Sequence, residues 1–187
     1  MKEIEEISIS PIRMSYYYDS ELSPDPVKDI IDFFNQYATM GDMIHLDVYL
    51  NTPGGNLPDF NTIKTLFERS AFKITLINSF EVSSYGFYLF YACKNVTKLL
   101  LPHSTAMLHT ISAPFEDRDI RKNDKNLRIK HQLLDGANEE FLSMVKKYKI
   151  LSTSDYKRLE KGEDIVVLYE ELHKMMLKCP YGNYINN

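Results

Sequence analysis

Residues 44–55 read IHLDVYLNTPGG, and the fold turns on them. Ile44, Leu46, Val48 and Leu50 alternate with His45, Asp47 and Tyr49, the period-two pattern of a strand that ends at Asn51. Thr52-Pro53-Gly54-Gly55 follows as a tight turn that needs glycine's backbone freedom. Beyond it, residues 58–69 place Phe60, Ile63, Leu66 and Phe67 at helical spacing.

The same alternation of elements extends both ways. Upstream, residues 3–12 alternate enough for a strand (Ile4, Ile7, Ile9), residues 23–26 make a turn or helix start, and residues 27–37 align Val27, Ile30, Ile31 and Phe34 before Gly41-Asp42 breaks the chain. Downstream come a strand over 73–78, a short buried helix over 84–93, and strands over 99–101 and 105–109 separated by Pro102. A long helix over 119–149 carries apolar residues at 120, 127, 134, 141 and 145. A capped helix over 153–161, a stop at Gly162, a strand over 165–167 and a helix over 170–178 complete the chain. Strands separated repeatedly by helices predict an α/β protein with a mainly parallel sheet. Its 187 residues show no internal repeat and no linker, so one domain over residues 1–187 is expected.

Composition narrows the function. The net charge is −4, and the basic stretches at 118–130 and 146–147 alternate with acids or read as solvated helix faces; nucleic acid is not expected as a partner. The longest uncharged run, residues 82–93, has 12 residues, too short to span a bilayer, so no membrane partner is expected. The start, MKEIEEISIS, is acidic where a signal peptide is basic. Cys93 and Cys179 make no disulfide framework, Cys93 reads as a small buried hydrophobe, and a reducing cytoplasm is the simpler location. No pair of histidines has zinc-helix spacing; neither metal nor cofactor is expected.

In such folds, loops at the carboxyl ends of strands carry the chemistry. Two unusual polar clusters lie at such ends: the TPGG turn, and the Ser83-Ser84-Tyr85-Gly86 tetrad that opens an apolar helix. Acyl transfer by serine needs a hydroxyl, a base, a group that orients the base, and N–H donors for the oxyanion. Ser84 stands where helix N–H groups are free, Tyr85 can offer its amide, and Gly86 leaves room for a substrate. Gly54 and Gly55 suit a second donor loop. A lone serine there is more often a helix cap than a nucleophile. Of the histidines, His45 sits on the polar face of a strand, His131 and His173 lie in helices and His103 follows Pro102 in a turn. His109 ends a strand, the rigid position a general base requires.

Taken together, LNTPGG (50–55), VSSYGF (82–87) and LPHSTAMLH (101–109) resemble the ClpP family of serine peptidases. That family has a strand ending N-S-P-G-G, a helix-opening A-S-M-G, and L-P-N-S before a short strand ending M-I-H. The intervals match as well, with Ser84 29 residues after Gly55 and His109 25 residues after Ser84. The resemblance is clear over residues 47–109 and traceable to about residue 171. It implies a ClpP/crotonase-like fold, with flanking helices and a long protruding helix. It further implies Ser84 as nucleophile, His109 as general base, and the amides of Gly55 and Tyr85 as oxyanion hole beside substrate-binding Gly54. The family's third residue, an aspartate before a short strand, falls on Asp164, with Glu163 as its neighbouring rival.

The resemblance implies a serine endopeptidase that cleaves extended polypeptide inside a self-assembled ring. The sequence also departs from the family. About a dozen residues precede MSYYYD (14–19), the match to the first sheet strand, which argues against docking of an AAA+ unfoldase. After His109 the glutamine-proline and glycine-rich stretch is replaced by TISAPFED (110–117), and residues 175–179 read MMLKC in place of a tyrosine-glycine-leucine motif. Position 83 is Ser where the family has Ala. Such divergence suits a phage-encoded or otherwise specialised relative. Two other functions stay open: a crotonase-like acyl-CoA enzyme, which needs no Ser/His pair, and a non-catalytic assembly subunit that retains the fold.

Overall fold

The computed structural model describes residues 10–110 and 125–185. The strand expected over residues 3–12 lies mostly outside them, and the first strand, β1, is Ile12–Asp19. The elements continue α1 (Pro24–Tyr37), a 3-10 turn (Ala38–Met43), β2 (Ile44–Thr52), α2 (Leu57–Arg69), β3 (Lys73–Ser83) and α3 (Tyr85–Ala92). After them come β4 (Thr97–Leu100), β5 (Thr105–Leu108), α4 (Lys125–Lys147), α5 (Thr153–Glu160), β6 (Ile165–Val167), α6 (Tyr169–Met176) and β7 (Asn183–Tyr184).

The strands form one sheet in the order β1-β2-β3-β4-β7, with β5 joined to β3 and β6 to β5. Every pairing is parallel except β5 with β6. This is a mixed α/β fold with a mostly parallel sheet and flanking helices. Central strands of such a sheet are covered on both faces. In β2 this buries not only Ile44, Leu46, Val48 and Leu50 but also Asp47, which the alternation assigned to a polar face. Arg13 Nε donates to Asp47 at 2.6 Å and keeps that carboxylate paired.

β3 is longer than expected, and its extra length shapes the site. Thr75–Asn78 pair with Thr97–Leu100 of β4, whereas Glu81–Ser83 pair with Thr105–Met107 of β5. Between these halves the register to β2 slips, from Leu50↔Asn78 to Thr52↔Val82. Polar side chains cover the break: Ser79 Oγ donates to Leu50 O at 2.9 Å, and buried Asn78 donates from Nδ2 to Thr105 O at 3.0 Å.

The helices use the faces their spacing predicts. Val27, Ile30 and Phe34 of α1 are buried, as are Phe60, Ile63 and Phe67 of α2, while Ile31 and Leu66 are only partly covered. Asn56 caps α2 by accepting from Asp59 N at 3.0 Å, worth about 1 kcal/mol. All eight residues of α3 are buried. A helix apolar all round belongs inside a core. Its aromatic rings pack on Phe60, whose centroid lies 5.0 Å from those of both Tyr85 and Tyr88.

The terminal β7 had no signature in the sequence. It is tied down by fully buried Lys98, whose ammonium donates to the carbonyls of Tyr91 and, at 2.8 Å, Tyr181. Burial lowers the pKa of Lys98 from its ordinary value. Cys93 is fully buried, as expected, and both cysteines are free.

Candidate active site

Three parallel strands bring their carboxyl ends together. β2 ends in the Thr52–Gly55 turn, β3 ends at Ser83, and β5 ends just before His109. Ser84 N donates to Met107 O at 2.8 Å, so the residue before α3 is pinned to the end of β5.

Ser84 is not a side-chain cap. Its backbone has φ 55° and ψ −126°, and its hydroxyl makes no capping bond to α3. Positive φ at a non-glycine residue costs roughly 1–3 kcal/mol and persists only where surroundings enforce it. Ser84 Oγ instead lies 2.6 Å from His109 Nε2. The neighbouring hydroxyl is occupied: Ser83 is fully buried and donates to the Glu81 carboxylate.

Gly54 makes the close approach possible. Its φ is 101°, and a Cβ there would lie 2.7 Å from Ser83 O and from Ser84 Cβ. Gly55 forms a parallel bridge with Leu22, in which Leu22 N donates to Gly54 O at 2.6 Å and Asn56 N donates to Leu22 O at 3.1 Å. The flanking residues make those bonds, so the N–H of Gly55 itself is turned away from Leu22. The first bond within α3 is Tyr88 N to Ser84 O at 3.2 Å, which leaves the Tyr85 N–H in the unpaired first turn.

The role expected for Gly86 needs correction. A Cβ at Gly86 would lie 2.6 Å from Thr52 Cγ2 and 3.1 Å from Thr52 O. The missing side chain lets α3 seat against the end of β2; it does not open space for a substrate.

Asp164 is brought near by topology. β6 runs antiparallel to β5 with Leu108 opposite Ile165 and Met107 opposite Val166, so one further step sets His109 across from Asp164. Its carboxylate is exposed and, among the described residues, makes no hydrogen bond to the imidazole. It borders instead a surface cavity of about 580 Å³ shared with Arg158 and Val166. Glu163 is engaged elsewhere, accepting from Arg158 Nε at 2.9 Å.

The other histidines stand apart from this cluster. His45 Nε2 pairs with Thr75 Oγ1 at 3.0 Å near the start of β2, His173 Nδ1 pairs with the Tyr184 hydroxyl at 2.6 Å, and His103 is exposed in a turn with φ 67°. The side chain of His131 lies outside the described residues. Among the described residues no group of His, Cys, Asp or Glu is arranged to hold a metal ion, and no helix is long and apolar enough to cross a membrane. Sequence reading missed Glu140, whose carboxylate accepts from the Tyr88 hydroxyl at 2.6 Å one turn into α3. Its only sequence signal was an acid beside Phe141 on the core side of a long helix.

The mixed α/β architecture, a mostly parallel sheet with flanking helices, matches the ClpP fold. Residues 28–166 match the protein family described as Clp protease, which is most of the chain, and the protein belongs to that family. Among solved structures, it is similar to a ClpP1 point mutant from Listeria monocytogenes, with 14% identity, a TM-score of 0.65, and coverage of 92% of this chain and 91% of that one. No curated protein sequence matches the chain.

Proposed function

We propose that the protein is a serine endopeptidase acting on extended polypeptide through an acyl-enzyme. The observation that carries this reading is the 2.6 Å approach of Ser84 Oγ to His109 Nε2 at a strained backbone position. With Nδ1 protonated, Nε2 accepts the Ser84 proton as Oγ attacks a peptide carbonyl. The oxyanion that forms is met by the N–H groups of Gly55 and Tyr85, each worth about 3 kcal/mol in the transition state. His109 then returns the proton to the leaving amine, and a water activated by the same ring releases the acyl group. Asp164 holds Nδ1–H when its side chain turns inward from the position across the β5–β6 pair. Gly54 and Gly55 present a strand edge along which substrate backbone can lie.

The whole chain serves as one peptidase domain, working as a ring of like subunits in the cytoplasm. Family membership supports this assembly, and the two free cysteines suit that compartment. A second reading, an assembly subunit without activity, draws on the outward placement of the Asp164 carboxylate.

A fluorophosphonate probe separates the two, with light scattering on the same samples to report assembly. The expected result is labelling of the wild type in a ring-sized species and none in Ser84→Ala. Persistent labelling of that variant, or none of the assembled wild type, overturns the peptidase reading.

A further inference from the structure

A second cavity, of about 310 Å³, opens between α2, α3 and α4. Its lining includes Leu57, Phe60, Tyr88, Gly136, Ala137 and Glu140. Tyr88 lies one turn along α3 from Ser84, and Leu57 follows the Gly54-Gly55-Asn56 turn by one residue. The cavity therefore starts about one helical turn along α3 from the candidate nucleophile. A side chain beside a carbonyl held at Ser84 can reach it.

Its walls are mainly apolar, and Asn61, Lys64, Gln132 and a single acid, Glu140, complete the lining. Phe60 stacks against Tyr85 at 25° and against Tyr88 at 17°, forming an aromatic wall. Gly136 and Ala137 keep the facing surface of α4 low. The cation bordering the cavity, Lys64, is answered by Glu68 at 3.0 Å, so among the described residues of the lining the exposed Glu140 is the charge without an ion-pair partner. Only Oε1 of Glu140 receives the Tyr88 hydroxyl, and Oε2 has no partner among the described residues. The Tyr85 hydroxyl is buried and likewise has no hydrogen-bond partner among the described residues. It lies within electrostatic reach of Glu140, which, after burial, helps to raise the Tyr85 pKa to about 12.

We propose that this cavity receives a lysine or arginine side chain of the substrate at the residue preceding the cleaved bond, with Glu140 as the specificity-determining residue. The alkyl stem lies along Phe60, Tyr88 and Leu57 while the cationic head reaches Glu140, the division such side chains adopt on apolar surfaces. A guanidinium suits the site best, since it stacks on aromatic faces and offers a fork of donors to a carboxylate and a phenol oxygen. An acidic side chain meets repulsion from Glu140, and an apolar one leaves its carboxylate without a cation.

This inference rests on the peptidase reading, and its test keeps the two apart. Fluorogenic peptide amides differing only at the residue before the cleaved bond, arginine, leucine or glutamate, are compared by kcat/KM. The expected order is arginine, leucine, glutamate. Glu140→Gln keeps the size and the Tyr88 contact, and lowers the arginine-to-leucine ratio about two- to fivefold, the scale of one exposed charge pair. Glu140→Lys turns the preference toward glutamate. In Ser84→Ala, which cannot turn over, the arginine peptide is titrated by calorimetry with and without Glu140→Gln. Preferential arginine binding that depends on Glu140 without any cleavage by the wild type overturns the peptidase reading and supports the pocket. Probe labelling of Ser84 combined with an arginine-to-leucine ratio unmoved by Glu140→Gln overturns the pocket alone.

Discussion

Ser84 sits in a backbone conformation that serine rarely adopts, and the contacts around it explain why it stays there. Its N–H is held by Met107, its preceding residue is buried in β3, and Gly54 fills the space where any Cβ would collide. The two carboxylates that follow Gly162 are placed differently relative to His109. Asp164 stands across from His109 and is free to turn, whereas Glu163 is spent on Arg158. The expected outcome is that Asp164→Asn lowers kcat/KM by about 10²–10⁴-fold with little change in melting temperature. Glu163→Gln removes one exposed ion pair and costs less than about 1 kcal/mol, with activity retained. Steady-state kinetics paired with thermal melts decide it; loss of activity in Glu163→Gln alone reverses the assignment. Ser84 and His109 were legible because each falls at the end of a recognisable element. The pairing of Glu163 with Arg158 was not, because it depends on how the Gly162 turn aims the two acids.

Among the elements, α3 has the least freedom. Every residue is buried, and its first turn is pressed against the end of β2 at Gly86. In an isolated helix Gly→Ala is favourable by about 1 kcal/mol. Here the new Cβ would meet Thr52, so Gly86→Ala is expected to be net destabilising by roughly 1–3 kcal/mol, as overpacked cores are. Urea denaturation measures this, and the rate of probe labelling should fall with it as Ser84 is displaced. A variant as stable as the wild type would show that β2 and α3 separate easily. The strand-helix sequence around this contact was readable from period-two and helical spacing. The full length of β3 was not: Ser79 and Glu81 interrupt its apolar pattern, and they are tolerated because Ser79 repairs the broken ladder to β2 and Glu81 takes the Ser83 hydroxyl.

For the molecule as a whole, the core is rich in tyrosine. Burial raises the pKa values of Tyr18, Tyr88 and Tyr91, and takes Tyr85 and Tyr181 to about 12 from 10.0 and Cys93 to about 12 from 9.0. A raised folded-state pKa means that the folded protein holds protons the unfolded chain has lost. Stability from these groups is complete below their unfolded values and drains as pH climbs toward the folded ones. Lys98, with a lowered pKa, works in the opposite direction up to 10.5, as does Tyr148, whose hydroxyl accepts from Tyr181, up to 10.0. Stability is therefore expected to decline from about pH 9 upward, with phenolate absorbance appearing together with loss of circular dichroism. Phenolate appearing well before unfolding would mean that these rings are solvated.

Sequence alone determined the order of strands and helices from β2 to α6, the mainly parallel character of the sheet, and the serine, histidine and glycine turn at its strand ends. Those features rest on short-range periodicity and on residues whose backbone needs are local. The burial of Lys98, the seating of Gly86 and the meeting of Glu140 with Tyr88 were decided only by tertiary structure. Each depends on partners from distant segments, Tyr181 83 residues from Lys98 and Glu140 52 from Tyr88, and no local pattern encodes which carbonyl or ring will be waiting.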